Sequence, residues 1–246
     1  MSISTLTSNI SANVLADLTV DGAGRHQITS ERFDFGSGPV PAARHRNPDG
    51  SVGGWVAVSA HVDSAAWVGP DAVVFGNARV LGRSVLEDRA VVAELALVRA
   101  GAHLRDEAVV VGAAVVDASR IEDQAVVTDD SIVSGGAVVG DLAIIGGNAR
   151  VSGDVVVVGN AKVGGNVWLT KGTIVLGDAE LKGREIVRNH TITRSTGRPA
   201  VTIGAMTPPA TPRRHNVVAT EATIDDQLDR AVRALTQGLP RRTRRS

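Results

Sequence analysis

The chain has 246 residues with 26 basic and 26 acidic side chains. Its formal charge is therefore zero, which argues against a domain-wide footprint for nucleic acid. The absence of cysteine excludes both a disulfide framework and a thiolate metal site. Three Trp, three Phe and no Tyr are fewer aromatics than a globular core or a sugar-binding cleft normally uses.

Met1 to Asp21 has no basic residue ahead of an apolar core, so it does not read as a signal peptide. No run in the chain approaches the roughly 20 apolar residues of a membrane span. The expectation is a cytoplasmic protein without a membrane partner. Residues 1–50 read as an N-terminal cap. Within it Ile28 to Phe35 forms a strand able to close the first turn of the adjoining domain, and Gly36 to Gly50 is turn-rich, with Pro39, Pro41 and Pro48.

From Val56 to Leu181 an aliphatic residue recurs at every sixth position, with one slip of a single residue between Val116 and Ile121. All 22 of these heads are Val, Ile or Leu, although those types make up only 65 of the 246 residues. Four places after the head stands Ala, Ser or Thr in 18 of the 22 hexads. A period of six is neither helical nor that of a single strand. It suits short strands joined by tight turns, each hexad one flat side of a coil, with equivalent positions stacked. The head faces inward, and so does the small residue four places on, near a corner. Gly, Asn and Asp crowd the corners, as in Gly76-Asn77, Gly147-Asn148 and Gly177-Asp178, where a left-handed backbone is needed.

The stretches Val74-Phe75-Gly76-Asn77-Ala78-Arg79-Val80 and Ile145-Gly146-Gly147-Asn148-Ala149-Arg150-Val151 resemble the bacterial hexapeptide-repeat proteins. The likeness covers roughly residues 51–185. It implies an all-β fold, a single-stranded left-handed parallel β-helix with three hexads per coil and about seven coils. The opening Gly53-Gly54-Trp55-Val56 followed by Gly-Asn-Ala-Arg-Val hexads is similar to an uncharacterised bacterial and prophage branch. That likeness carries no chemistry, but it adds a phage structural component, virion-associated, to the readings.

The residue before each head points outward, and taking every third side gives three exterior stripes. The first is Val73, Val91, Val109, Val126, Ile144, then Lys162 and Glu180; the second is Trp67, Val85, His103, Arg120, Val138, Val156, Ile174; the third is His61, Arg79, Leu97, Val115, Ile132, Arg150, Trp168. Five apolar residues in succession on the first stripe suit either the β-propensity of a flat sheet or a face buried against a helix or a neighbouring subunit.

Beyond the repeat, residues 186–219 read as a C-terminal cap and a Pro-rich linker, with the register fading after Leu181. Residues 220–238 read as an amphipathic helix. Thr223 and Asp226 suggest a capping box, and Ile224, Leu228, Ala231, Val232 and Leu235 share one face. Asp225 and Asp226 lie at its start, Arg230 and Arg233 nearer its end, and Gly238 and Pro240 stop it. So short a helix needs a docking surface, on its own prism or on a neighbour's. Residues 239–246 are a basic tail, suited at most to non-specific phosphate attraction.

Relatives in the resembling family include acyltransferases and proteins similar to zinc carbonic anhydrases, with surface histidines at subunit interfaces, and many are trimers. A zinc site needs three converging ligands. His61 and His103 lie on different stripes, and no third His joins either, so no metal site is expected. Asp117, Glu122, Asp123, Asp129 and Asp130 surround the slip as a carboxylate group that a hard cation would suit, or as a solvated corner. His103 is the candidate general base, flanked by Arg105, Asp106 and Glu107, the plainer reading being a solvated surface residue. The hexads carry no insertion of the kind that builds an acceptor pocket. Together these features predict a non-enzymatic scaffold, a homotrimer with no cofactor and a protein partner or larger assembly. The alternative is an acyltransferase using a coenzyme A thioester such as acetyl-CoA between subunits.

Overall fold

The structure is a computed structural model describing residues 16–20 and 26–193, and every regular element among them is a strand. Two compact units divide these residues, one ending at Pro41 and the other beginning at Ala42. In the first, β1 (Ala16–Val20) pairs antiparallel with β2 (His26–Asp34), close to the strand predicted over Ile28 to Phe35. After β2, Asp34 Oδ1 accepts hydrogen bonds from the amides of Gly36 and Gly38 at 2.7 and 2.9 Å.

The second unit is a parallel β-solenoid. Its 24 strands, from Val52–Ala57 to Thr191–Ile192, stack in three columns of eight. Each strand bonds the strands three before and three after it. This makes eight coils, one more than the spacing predicts, because the register does not end at Leu181. Val187 and Ile192 also turn inward, 4% and 9% exposed. Their five-residue separation is a second slip that hides the period. Both slips fall at the same corner, between the third and second faces. Three of the full-length corners there hold two consecutive left-handed residues, as at Ala100-Gly101 and Gly135-Gly136, and others one, Gly82 or Gly153, while the shortened ones hold one, Ala118 or Asn189. Losing a residue therefore shortens the turn and leaves both flanking strands in register: His103 pairs with Arg120, and Arg120 with Val138.

The interior follows from the two inward positions. Head residues such as Leu86, Leu104, Ile121 and Ile145 and corner alanines such as Ala90, Ala108 and Ala143 are 0% exposed and form one continuous core. Where a hydroxyl replaces alanine it is satisfied locally, as a buried polar group must be. Ser84, Ser131 and Thr173 each donate to the carbonyl three residues earlier, at 2.8, 2.6 and 2.7 Å. Corners stay tight because the coils approach closely. A Cβ on Gly147, whose φ is 62°, would stand 2.7 Å from the amide nitrogen of Gly165 in the next coil.

The first coil is closed by Ala42–Arg46, the latter part of β3 (Pro39–Arg46), which pairs antiparallel with β4 (Val52–Ala57), and by one side chain beyond it. Asn47, 4% exposed, accepts from the Val68 amide at 2.9 Å and donates to the Val68 carbonyl at 3.2 Å. Its carboxamide thus replaces a strand against an edge that would otherwise lack partners. Gly53 and Gly54 permit that closeness: a Cβ on either would fall 2.4 Å from Val68 O or 1.9 Å from Ala72 O.

Candidate functional surfaces

The parallel pairing places the outward residues in the three columns the spacing predicts. Val73, Val91, Val109, Val126 and Ile144 are successive partners on the first face. Trp67, Val85, His103, Arg120 and Val138 are partners on the second. His61, Arg79, Leu97, Val115 and Ile132 are partners on the third. No single corner between these strands exceeds four residues, so no loop joining them rises over a face.

The first face differs from the others in two ways. Its outward valines Val73, Val91 and Val126 are buried, 9%, 5% and 7% exposed, yet they stand apart from the continuous core. Val109 and Ile144 on the same face are half-buried, as are Val85, Val138 and Val156 on the second face and Val115 on the third.

The second difference was missed in the sequence. Two residues further along each strand of this face runs a parallel outward column: Phe75, Ala93, Val111, Thr128, Gly146. Ala93 and Val111 are also buried and outside the core. The signal was present at the position after each head. On the third face that position is mostly polar (Asp63, Arg99, Asp117, Ser134), and on the second it carries Glu87, Arg105 and Glu122. Three of the exposed large aliphatics, Val58, Leu95 and Leu142, lie on the two corners bordering the first face. Ile224, Leu228, Val232 and Leu235, the predicted counterparts, lie outside the described residues.

The corner before the first face carries an acidic ladder. Asp88, Asp106, Asp123 and Asp141 all have a left-handed backbone, φ 50° to 58°, which costs a non-glycine residue about 1–2 kcal/mol. Each carboxylate offsets that cost by accepting the amide of the next coil's corner residue. Asp88 accepts from Asp106, Asp106 from Asp123, Asp123 from Asp141 and Asp141 from Gly159, at 3.2, 3.3, 3.0 and 2.9 Å. The corner after this face adds Glu94, which accepts from the Gly112 amide, and Asp129, which accepts from that of Gly147. Both borders of the apolar stripe are thus negative. By the seventh and eighth coils the face carries Lys162 and Lys182 instead, Lys182 paired with Glu180 at 2.7 Å.

These geometries dissolve the carboxylate group predicted around the slip. Asp117 lies at the corner after the third face and pairs with Arg99 at 2.7 Å. Glu122 and Asp123 lie at the corner after the second, where Glu122 pairs with Arg105 at 2.8 Å. Asp129 and Asp130 lie at the corner after the first. A six-residue step turns the chain to a new face, so neighbours in sequence point in three directions. Among the described residues no three His, Asp or Glu side chains gather as a metal ion requires.

His103 stands half-buried in the middle of the second face. Its Nε2 is 2.8 Å from Glu87 Oε2 in the coil before, so a carboxylate orients the imidazole from the solvent side. His61 is exposed on the third face with Nε2 3.0 Å from Asp63 Oδ1. Asp63 also accepts the Gly82 amide at 2.6 Å. That backbone bond, then the one from His61, holds its carboxyl below the ordinary carboxylate pKa. His45 touches the Ala66 carbonyl and His190 that of Arg188. His215 lies outside the described residues. Among the described residues of the solenoid the histidines are spread along its length, and His103 is the one paired to a carboxylate of a neighbouring coil.

No protein-family model matches the chain, and no curated protein matches it. Among the described residues no helix is long and apolar enough to cross a membrane.

Proposed function

We propose that this protein is a non-enzymatic structural component, a rigid β-solenoid of the left-handed hexapeptide-repeat kind that assembles as a homotrimer. The observation that carries the reading is the uninterrupted stack. Eight coils succeed one another with no corner longer than four residues, so the coils raise no loop to enclose a small acceptor. Ligand sites are concave, whereas the three faces are flat sheets. Their outward side chains are those of contact surfaces, an unbroken apolar run on one face and apolar residues interspersed with His, Arg and ion pairs on the others. The test is the solution mass. Light scattering at micromolar concentration should give three times the chain mass, and a monomer there overturns the assembly. Acetyl-CoA and zinc should leave the melting temperature unchanged.

The paired imidazole of His103 favours one second reading, an acyltransferase of the same repeat family. There His103, oriented by Glu87, takes the proton from an acceptor hydroxyl or amine as that group attacks the carbonyl of a coenzyme A thioester across a subunit boundary. The C–S bond breaks and the departing coenzyme A thiolate takes the proton back from the imidazolium. Stabilisation by acetyl-CoA, beyond that given by unrelated nucleotides, together with an acyl-transfer rate lost in His103→Ala, would establish this reading over the first.

A further inference from the structure

The last three coils give the third face a set of outward side chains that the scaffold itself does not use. In its two outward columns Arg150, Trp168 and Ile186 succeed one another in the sixth, seventh and eighth coils, beside Ser152, Thr170 and Arg188. The hydroxyl column begins one coil earlier, at Ser134. Trp168 Nε1 donates to Ser152 Oγ in the coil before, at 3.3 Å. The indole therefore reaches back along the face and stays half-exposed. Arg150 is exposed and Arg188 half-buried, and the buried Nε of Arg188 meets no acceptor. Neither forms an ion pair among the described residues, unlike Arg99 and Arg105, which Asp117 and Glu122 hold. Across these three coils of the face and its corners four cations, Arg150, Lys171, Arg184 and Arg188, stand against two carboxylates, Asp154 and Glu185.

We propose that this strip binds an acidic polysaccharide, one sugar ring to each coil. Successive coils stand about 4.8 Å apart, close to the rise of one pyranose along an extended glycan. Down the axis the order is cation, aromatic ring, cation. A glycan in which carboxylate-bearing and uncharged rings alternate meets that order in register. One carboxylate lies beside Arg150, the apolar side of the uncharged ring lies on Trp168, and the next carboxylate lies beside Arg188. Arginine suits these anions because its planar fork donates two parallel hydrogen bonds to a carboxylate. Ser152 and Thr170 offer hydroxyls that both donate to and accept from those of the sugar. Single-stranded nucleic acid also joins rings to anions, but its bases stack in succession on several aromatics. Among the described residues Trp168 is the only such ring on this face. A polymer lying along a flat sheet needs no enclosing loop, and the strip belongs to one chain, so the inference is independent of the trimer.

Calorimetric titration of the full chain with hyaluronate oligosaccharides, whose uronate rings alternate with uncharged ones, tests the proposal. Binding should be saturable and should weaken as salt is raised. Trp168→Ala should weaken it about tenfold, and Trp168→Phe should restore most of that loss. Arg150→Gln should weaken it about threefold. Trp67→Ala, on the second face, should leave it unchanged. Thermal melting of each variant checks that the coils are intact, and Arg150→Gln with Trp168→Phe carries the test if Trp168→Ala does not fold. The proposal is overturned by no saturable binding, by equal binding of uncharged dextran, or by binding that neither substitution at Trp168 nor Arg150→Gln alters. Tighter binding of oligothymidylate than of hyaluronate would also overturn it and assign the strip to single-stranded nucleic acid.

Discussion

The first and second faces of the solenoid share one backbone, one hydrogen-bonding register and one interior. Both are lined inside by aliphatic heads and alanines without exposure. Outside they diverge. The first carries two apolar columns that are largely buried, and the second carries His103 with Glu87 and Arg105 with Glu122 on half-exposed ground. The difference teaches that the inward positions make this fold and carry no information about use. Whatever distinguishes one face from another is written in the residues immediately before and after each head.

The strongest test of that division is to damage the interior behind each face. Leu104 supports the second face and Val110 the first, and both are fully buried. Leu104→Ala should cost about 2–5 kcal/mol, and Val110→Ala should cost within a factor of two of it. Chemical denaturation measures both, and a head that tolerates alanine would break the equivalence of the interiors. The outward positions should then separate the faces. Val91→Asp places a carboxylate among buried valines and should cost at least about 2 kcal/mol in lost apolar burial and desolvation. Val138→Asp, at the same strand position on the second face, should cost less than about 1 kcal/mol. Equal costs would mean that the burial of Val91 does not set the first face apart.

The inward half of this architecture was legible because it is periodic. One residue type every six positions fixes strand, turn and stacking together, and it placed His103 beside Val85 and Arg120 as the structure does. Reading failed where the period breaks or where a side chain acts without one. The second slip made Val187 and Ile192 look like the end of the repeat, whereas a shortened corner at Asn189 keeps them inside. Asn47 lies outside the hexads, and its pairing with Val68 depends on a chain reversal that no spacing announces. The second apolar column escaped notice because Phe75, Ala93, Val111, Thr128 and Gly146 share no residue type, only a position. The carboxylates near Arg120 looked gathered because sequence distance was taken for spatial distance, which a six-residue turn abolishes.

The corners occupy the middle of the scale, because their residues serve backbone geometry and surface charge together. Asp106, at φ 58°, both tolerates the left-handed turn and accepts the Asp123 amide. Asp106→Val should cost about 1–3 kcal/mol through the strained backbone. Asp106→Gly loses the bond to the Asp123 amide and the contact with Arg105 but relieves the left-handed backbone, so it should stay within about 1 kcal/mol of the parent. If the two variants melt alike, the ladder holds the coils by its hydrogen bonds alone and the left-handed geometry is not the constraint.

The smallest effect lies at a different corner, the one after the third face, where Asp63 staples the first coil to the second through the Gly82 amide. Its carboxyl is held below the ordinary value by that bond and by the one from His61. A carboxylate whose pKa falls on folding binds fewer protons in the native state than in the unfolded one. Its stabilising contribution is therefore complete above the ordinary carboxylate pKa, near 4, and is lost as pH falls through the lowered folded value. Asp63→Asn should thus melt slightly below the parent protein at pH 7, and the gap should close as the pH is taken below about 4. A gap that stays constant between pH 7 and pH 3 would show that the side chain's shape, and not its charge, supports the corner. The stapling role argued for the acidic ladder would then have to rest on geometry there as well.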